Sequence, residues 1–278
     1  LLATMALLAT AWSFAWIESG DRSMLSTLAP ETSVSERRFA GRTLAEWGTI
    51  MQTRDHFDPA RGDDVPGLMA LVDDVSLPWY VRRNAALTLG RWGEPAAVAI
   101  PLLVRLIEER QPSTTQDDPE AITPLWALKG LALFGAVAAP AAPAVRAVAL
   151  DSSASESVRL AAIDGLSRIG PAAPTVIPTL LEILSHAQHD VAMQHTLRRA
   201  AIEALGMQRA AAASATPALT QILDDTDPVL RREAAAALGM IGPAAGQSES
   251  GLWERFLSDE DPTVEDAAGK SLVQLGPQ

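Results

Sequence analysis

The stretch Asp227-Pro228-Val229-Leu230-Arg231-Arg232-Glu233-Ala234-Ala235-Ala236-Ala237-Leu238-Gly239-Met240-Ile241-Gly242-Pro243-Ala244-Ala245 decides the fold. Leu230, Ala234, Ala237, Leu238 and Ile241 fall at i, i+4, i+7, i+8 and i+11, which is one apolar face at a helical period. Val158, Ala162, Gly165, Leu166 and Ile169 repeat that spacing upstream. Self-similarity of this kind points to a repeat architecture.

Gly242 serves as an anchor, and its equivalents are Gly93, Gly135, Gly170, Arg209 and Gly276, separated in chain order by 42, 35, 39, 33 and 34 residues. Eleven residues before each anchor stand Arg82, Pro124, Arg159, Arg198, Arg231 and Glu265. Eight residues after the first four anchors stand Pro101, Pro143, Pro178 and Pro217, while the fifth unit has Ser250. Proline fits the first turn of a helix, where its missing N–H costs nothing. Each unit therefore reads as a helix, a Gly-containing turn and a Pro-started helix. In the second helix Ile177, Leu180, Leu181 and Leu184 form the apolar face. The fold class is all-α: a solenoid of about five to six helical hairpins.

The D-P-x-x-R…A-A-x-A-L-G-x-I-G-P-A-A string at 227–245, with echoes at 158–173 and 261–276, resembles HEAT repeats. It is most similar to the short alanine-rich bacterial kind related to the HEAT-like repeats of phycobilisome lyases. The resemblance covers about residues 66–278 and implies architecture far more than activity. Among HEAT-like enzymes, deoxyhypusine hydroxylases hold iron with His-Glu pairs. No His-Glu pair occurs in this chain, so that activity is not expected from the resemblance. No feature of bilin lyases beyond the generic repeat is matched.

Outward from the repeats, residues 41–75 read as a degenerate capping repeat and 76–278 as the solenoid proper. The polar insert Gln111–Glu120 (QPSTTQDDPE) reads as a loop and accounts for the 42-residue separation. Residues 19–40 read as a tether. Leu1 to Ile17 carry no charge, and at ~1.5 Å per residue they reach the short limit for a bilayer span. Residues 1–18 are therefore expected to be a transmembrane signal anchor. Trp12 and Trp16 stand at the membrane–water interface in that reading. The acidic flank after the run, with Arg22 as its lone cation before Glu36, places the solenoid on the extracytoplasmic side. A cleaved secretory signal peptide is the competing reading.

Net charge is −12 over 278 residues, which argues against a nucleic-acid partner. There is no cysteine, so disulfides, thiolate metal sites and Cys nucleophiles are excluded. His186, His189 and His195 cluster with Asp190 but match no zinc spacing, and no metal is expected. No G-x-S-x-G, P-loop or G-x-G-x-x-G occurs. On these grounds the chain is read as not an enzyme, with no cofactor.

Arg82, Arg159, Arg198 and Arg231 recur in register. They are expected to form a structural ladder, pairing with acids at the preceding second-helix end such as Asp224 and Asp225. Trp79, Trp92 and Trp126 are candidate partner contacts, since tryptophan is enriched at interface hot spots. It is equally a filler between helices. The function expected is a scaffold or accessory subunit that binds other proteins, docked on a membrane-embedded respiratory or photosynthetic complex. A cofactor-handling enzyme of lyase type and a secreted soluble HEAT-repeat protein are the alternatives.

Overall fold

The computed structural model describes residues 37–53, 64–109, 123–185 and 191–276. A small hairpin comes first: β1 (Arg38–Phe39) pairs antiparallel with β2 (Arg42–Thr43) across the two-residue turn Ala40-Gly41. Both turn residues have positive φ, as a tight hairpin of this length requires. Helices α1 (Leu44–Thr53) and α2 (Asp64–Asp73) follow. Thr43 and Glu46 bond each other's backbone N–H at the start of α1, a reciprocal cap. The hairpin is fixed to α1 by the fully buried Trp47, whose indole N–H donates to the Phe39 carbonyl at 2.9 Å.

From there first and second helices alternate. They are α3 (Trp79–Trp92), α4 (Ile100–Glu108), α5 (Thr123–Phe134), α6 (Ala142–Leu150), α7 (Glu156–Ile169) and α8 (Val176–Ser185). Then come α9 (Val191–Met207), α10 (Thr216–Ile222), α11 (Pro228–Ile241), α12 (Glu249–Ser258) and α13 (Pro262–Leu275). The odd-numbered first helices from α3 to α13 stack on one another in order, and each second helix packs against the first helix that follows it. The result is a two-layer α-solenoid with one continuous core.

The turns inside each unit have a regular cause. Gly93, Gly135, Gly170, Gly242 and Gly276 all have φ between 57° and 78°. The anchor positions are thus where the chain leaves the first helix through a left-handed residue. A 3-10 segment follows, for example Glu94–Ala99 and Gly242–Ser248. Its buried residues lie three and six beyond the anchor: Ala96 and Ala99, Ala138 and Ala141, Ala212 and Ala215, Ala245 and Ser248. A three-residue period presents one face of a 3-10 helix, and only small side chains fit beneath it. Pro101, Pro143 and Pro217 then start the second helices.

Close stacking of the first helices depends on small residues. A Cβ on Gly90 would lie 2.4 Å from the Gly130 carbonyl oxygen of the next first helix. Gly206 and Gly239, at the equivalent place in their units, face Ala237 and Ser271 in the same way.

The expected membrane helix at 1–18, with Trp12 and Trp16, and the tether up to residue 36 lie outside the described residues. Among the described residues, the helical stretch long and apolar enough to cross a membrane is internal, Pro124–Leu150. It is part of the solenoid: α5 and α6 joined by the 3-10 turn at Gly135. Of the expected architecture, the described residues show the α-solenoid.

Candidate functional site

The recurring arginines sit at the start of the first helices, facing the loop that enters their unit. Arg82 and Arg159 are 1% and 2% exposed. The Nε of Arg82 donates to the Val72 carbonyl at 3.0 Å, and that of Arg159 to the Ala149 carbonyl at 3.1 Å. Each thereby ties its first helix to the end of the second helix before it, satisfying a carbonyl that the helix terminus leaves without an intrahelical partner. The Arg82 guanidinium also lies 5.6 Å from the centre of the Trp126 ring.

In the C-terminal units the pairing changes partner. Arg231 donates to the carbonyls of Asp225 and Thr226, and grips the Asp259 carboxylate with two bonds of 2.9 and 2.7 Å. Arg198 donates to the Asp225 carboxylate at 2.8 Å. The carboxylate partners of Arg198 and Arg231 thus lie at the end of the following second helix, where sequence reasoning placed them at the preceding one. For Arg231 the preceding end supplies carbonyls instead.

Asp225 and Asp259 each do two jobs. Their second role is to accept the backbone N–H two residues on, Asp227 and Asp261, whose side chains in turn cap α11 and α13. Burial of Asp259 works against its charge, but Arg231, the Asp261 N–H and Arg255 together hold its carboxyl below the usual aspartate range. Burial likewise opposes the charge on Asp225, and the Asp227 N–H and Arg198 outweigh it. Asp74 and Asp151 make the same turn onto Ser76 and Ser153 upstream. Of these aspartates, Asp74, Asp151 and Asp259 are ones that sequence reasoning passed over. The signal available was their place six or eight residues ahead of the position of the recurring arginine, which Glu265 fills in the last unit.

The tryptophans divide by burial. Trp92 and Trp126 are 5% and 1% exposed and belong to the core, so neither offers a surface to a partner. That corrects their reading as contact residues. Trp79 is half-buried beneath the Arg83 guanidinium at 5.0 Å. Trp253, 44% exposed, packs edge-on against Phe256. His195 lies 2.6 Å from the Asp227 carboxylate, while His56, His186 and His189 fall outside the described residues. Among the described residues no three of His, Asp and Glu converge as metal ligands, so the donor set for an iron centre is not met there.

The solvent face of the first-helix layer is built from side chains ten, six and two residues before each anchor, a spacing of four that puts them in one row per helix. On α3 these are Arg83, Leu87 and Arg91; on α5, Leu125, Lys129 and Leu133; on α7, Leu160, Asp164 and Arg168. Leu87, Lys129, Ala132, Leu133, Asp164 and Arg168 line a shallow depression of about 270 Å³. Arg168 is bonded to Asp164, through Nε at 3.0 Å to both carboxylate oxygens. A second depression, about 460 Å³, lies between α2 and α4 around Met69, Asp73, Leu102 and Arg105.

Residues 192–273 match the family of HEAT repeats. The chain is 29% identical over 240 residues to deoxyhypusine hydroxylase-B of Oryza sativa subsp. japonica, covering 76% of this chain and 71% of that protein. Among solved structures, an engineered protein matches at TM-score 0.48 with 17% identity, covering 91% of this chain and 70% of that one. A designed armadillo repeat protein in complex with peptide (KR)4 matches at TM-score 0.47 with 15% identity, over 76% and 99% of the two chains. The rice relative corrects the expectation that the chain is not an enzyme: a protein similar to it over most of its length is named for a hydroxylase, and missing motifs do not outweigh that. Residues 192–273 match HEAT repeats, and the helix–turn–helix unit matched there recurs through the stack back to α3, which extends the repeat architecture over most of the described residues.

Proposed function

We propose that this solenoid is a protein-binding scaffold, holding partner proteins on the exposed face of its helix stack. The observation that carries this reading is the side-by-side array of first helices, each presenting a row of outward side chains at the same three positions. Stacked repeats offer extended surfaces of this kind. The finer part of the proposal is docking on a membrane-embedded respiratory or photosynthetic complex, with the solenoid on the extracytoplasmic side. Its support is the uncharged run Leu1 to Ile17 with Trp12 and Trp16, and the acidic flank that follows. Photo-crosslinkers placed on first-helix and second-helix faces, used in native membranes, test both parts. Specific adducts with membrane-complex subunits are expected. A chain that forms none on any face refutes the scaffold reading.

A second reading rests on the rice relative: a hydroxylase-like or other cofactor-handling enzyme built on the same repeats. It is tested by metal analysis and an absorption spectrum of the purified chain, and by assaying hydroxylation of a deoxyhypusine-bearing protein. Turnover with bound metal establishes it. A metal-free, colourless chain with no turnover after metal addition removes it.

A further inference from the structure

We infer that the depression between α3, α5 and α7 is a docking groove for an acidic, leucine-bearing segment of a partner protein; this rests on the scaffold reading and names its site and partner class. Three observations converge. The first is charge. The chain carries −12 overall. Yet the outward rows of α3, α5 and α7 hold Arg83, Arg91, Lys129 and Arg168 against one carboxylate, Asp164. That carboxylate is already taken by Arg168. Arg91 and Lys129 are exposed and make no salt bridge among the described residues. Further along the same layer the cations have acidic neighbours: Glu203 shares the row of Arg199 on α9, Asp266 is bonded to Lys270 in the row on α13, and on α11 Arg232 is bonded to Glu233 beside its row. The cationic excess is local to the groove.

The second observation is apolar. Leu133 is 41% exposed at the rim, and Leu87 is half-buried in the floor. Leucine between unpaired cations suits a ligand with apolar anchors flanked by carboxylates, because charge steers and orients while the desolvated anchors hold. The third is spacing. Neighbouring helices stand roughly 8–10 Å apart, and an extended chain advances ~3.3 Å per residue. A segment crossing the three helices therefore meets an equivalent row about every third residue.

The test uses the whole chain and three fluorescein-labelled nine-residue peptides: three repeats of Glu-Leu-Ser, of Lys-Leu-Ser, and of Glu-Ser-Ser. By fluorescence anisotropy the Glu-Leu-Ser peptide is expected to bind saturably and at least tenfold more tightly than either other peptide, with affinity falling as salt is raised. The double variant Arg91→Glu/Lys129→Glu loses that binding at least tenfold, while Arg199→Glu, in the same row on α9, leaves it unchanged. Arg91→Ala/Lys129→Ala serves if the reversed charges disturb folding, which the far-ultraviolet circular dichroism reports. No saturable binding of Glu-Leu-Ser, equal binding of Lys-Leu-Ser, or binding indifferent to both double variants overturns the groove. None of these results touches the scaffold reading, which its own crosslinking decides: adducts confined to other faces keep the scaffold and overturn the groove.

Discussion

Replacing Arg209 by glycine is expected to stabilise the protein. Of the six anchor positions described, five are glycine and Arg209 is the exception, yet it holds φ at 52°, in the same left-handed region. A Cβ there crowds the backbone at a cost of roughly 1–2 kcal/mol. Glycine removes that strain but gives the unfolded chain more freedom, which returns about 0.4–1 kcal/mol. The net gain is about 0.5–1 kcal/mol, or a rise of about 1–4 °C in midpoint for a chain of this size. The Arg209 side chain is exposed, and no bond to another described group accompanies it, so its loss should subtract little. Thermal melts followed by circular dichroism measure the shift. Hydrogen exchange should localise it to α9 and α10, since repeat proteins respond chiefly through neighbouring units. Arg209→Ala separates the causes, because it removes the same side chain and keeps the Cβ. If Arg209→Gly melts no higher than Arg209→Ala, backbone strain is not what limits this turn.

Three further outcomes are expected. Asp259→Ala should cost about 2–4 kcal/mol in urea titrations, because it strands the half-buried Arg231 guanidinium; removal of the exposed Lys270, paired with Asp266, should cost less than about 0.5 kcal/mol, and similar losses for both would contradict the clamp. Acid should act through Asp225 and Asp259: since both carboxyls are held low in the folded state, their stabilisation is complete above the ordinary aspartate value of about 3.9 and disappears as pH falls through the lowered values. Urea midpoints should stay flat from neutrality to pH 5 and drop steeply below about pH 4, with a shallower drop in the Asp225→Asn/Asp259→Asn variant; an identical drop would assign the acid limb elsewhere. Gly90→Ala should destabilise by about 1–3 kcal/mol despite the better helix propensity of alanine, because the added methyl meets the Gly130 carbonyl; a neutral or stabilised variant would show that α3 and α5 can move apart freely.

The fold was legible because its determinants are local. The helical period around Leu230 to Ile241, the anchors and the prolines after them each reflect a constraint within a few residues, and the anchors coincide with the left-handed turns, Arg209 included. Contacts across units were harder. The ladder arginines could be recognised as recurrent, but their partners depend on how one repeat is rotated on the next, which no single-unit pattern encodes. That is why Asp225 was assigned to Arg231 when its carboxylate goes to Arg198. Trp92 and Trp126 failed for a related reason, since composition does not distinguish a tryptophan facing the next helix from one facing water. The cationic groove could not be seen from net charge, because it arises only when three helices separated in sequence lie side by side. Catalysis was judged from missing motifs, and a motif search is blind to ligands gathered from distant repeats.

The fixed and variable intervals of the repeat have a consequence for how such a chain tolerates change in length. The four recurring arginines each stand eleven residues before their anchor and the four prolines each eight after theirs, whereas anchor-to-anchor separations run from 33 to 42. The variation falls between the start of the second helix and the next first helix. The 3-10 turn explains the rigidity: with small residues buried every third position, one inserted residue would turn the wrong side chain inward and swing the second helix around its axis. Foreign segments, reporter epitopes or whole inserted domains should therefore be accepted between units and rejected at the turns. The molecule has, in effect, one edge along which it can be lengthened and another along which it cannot.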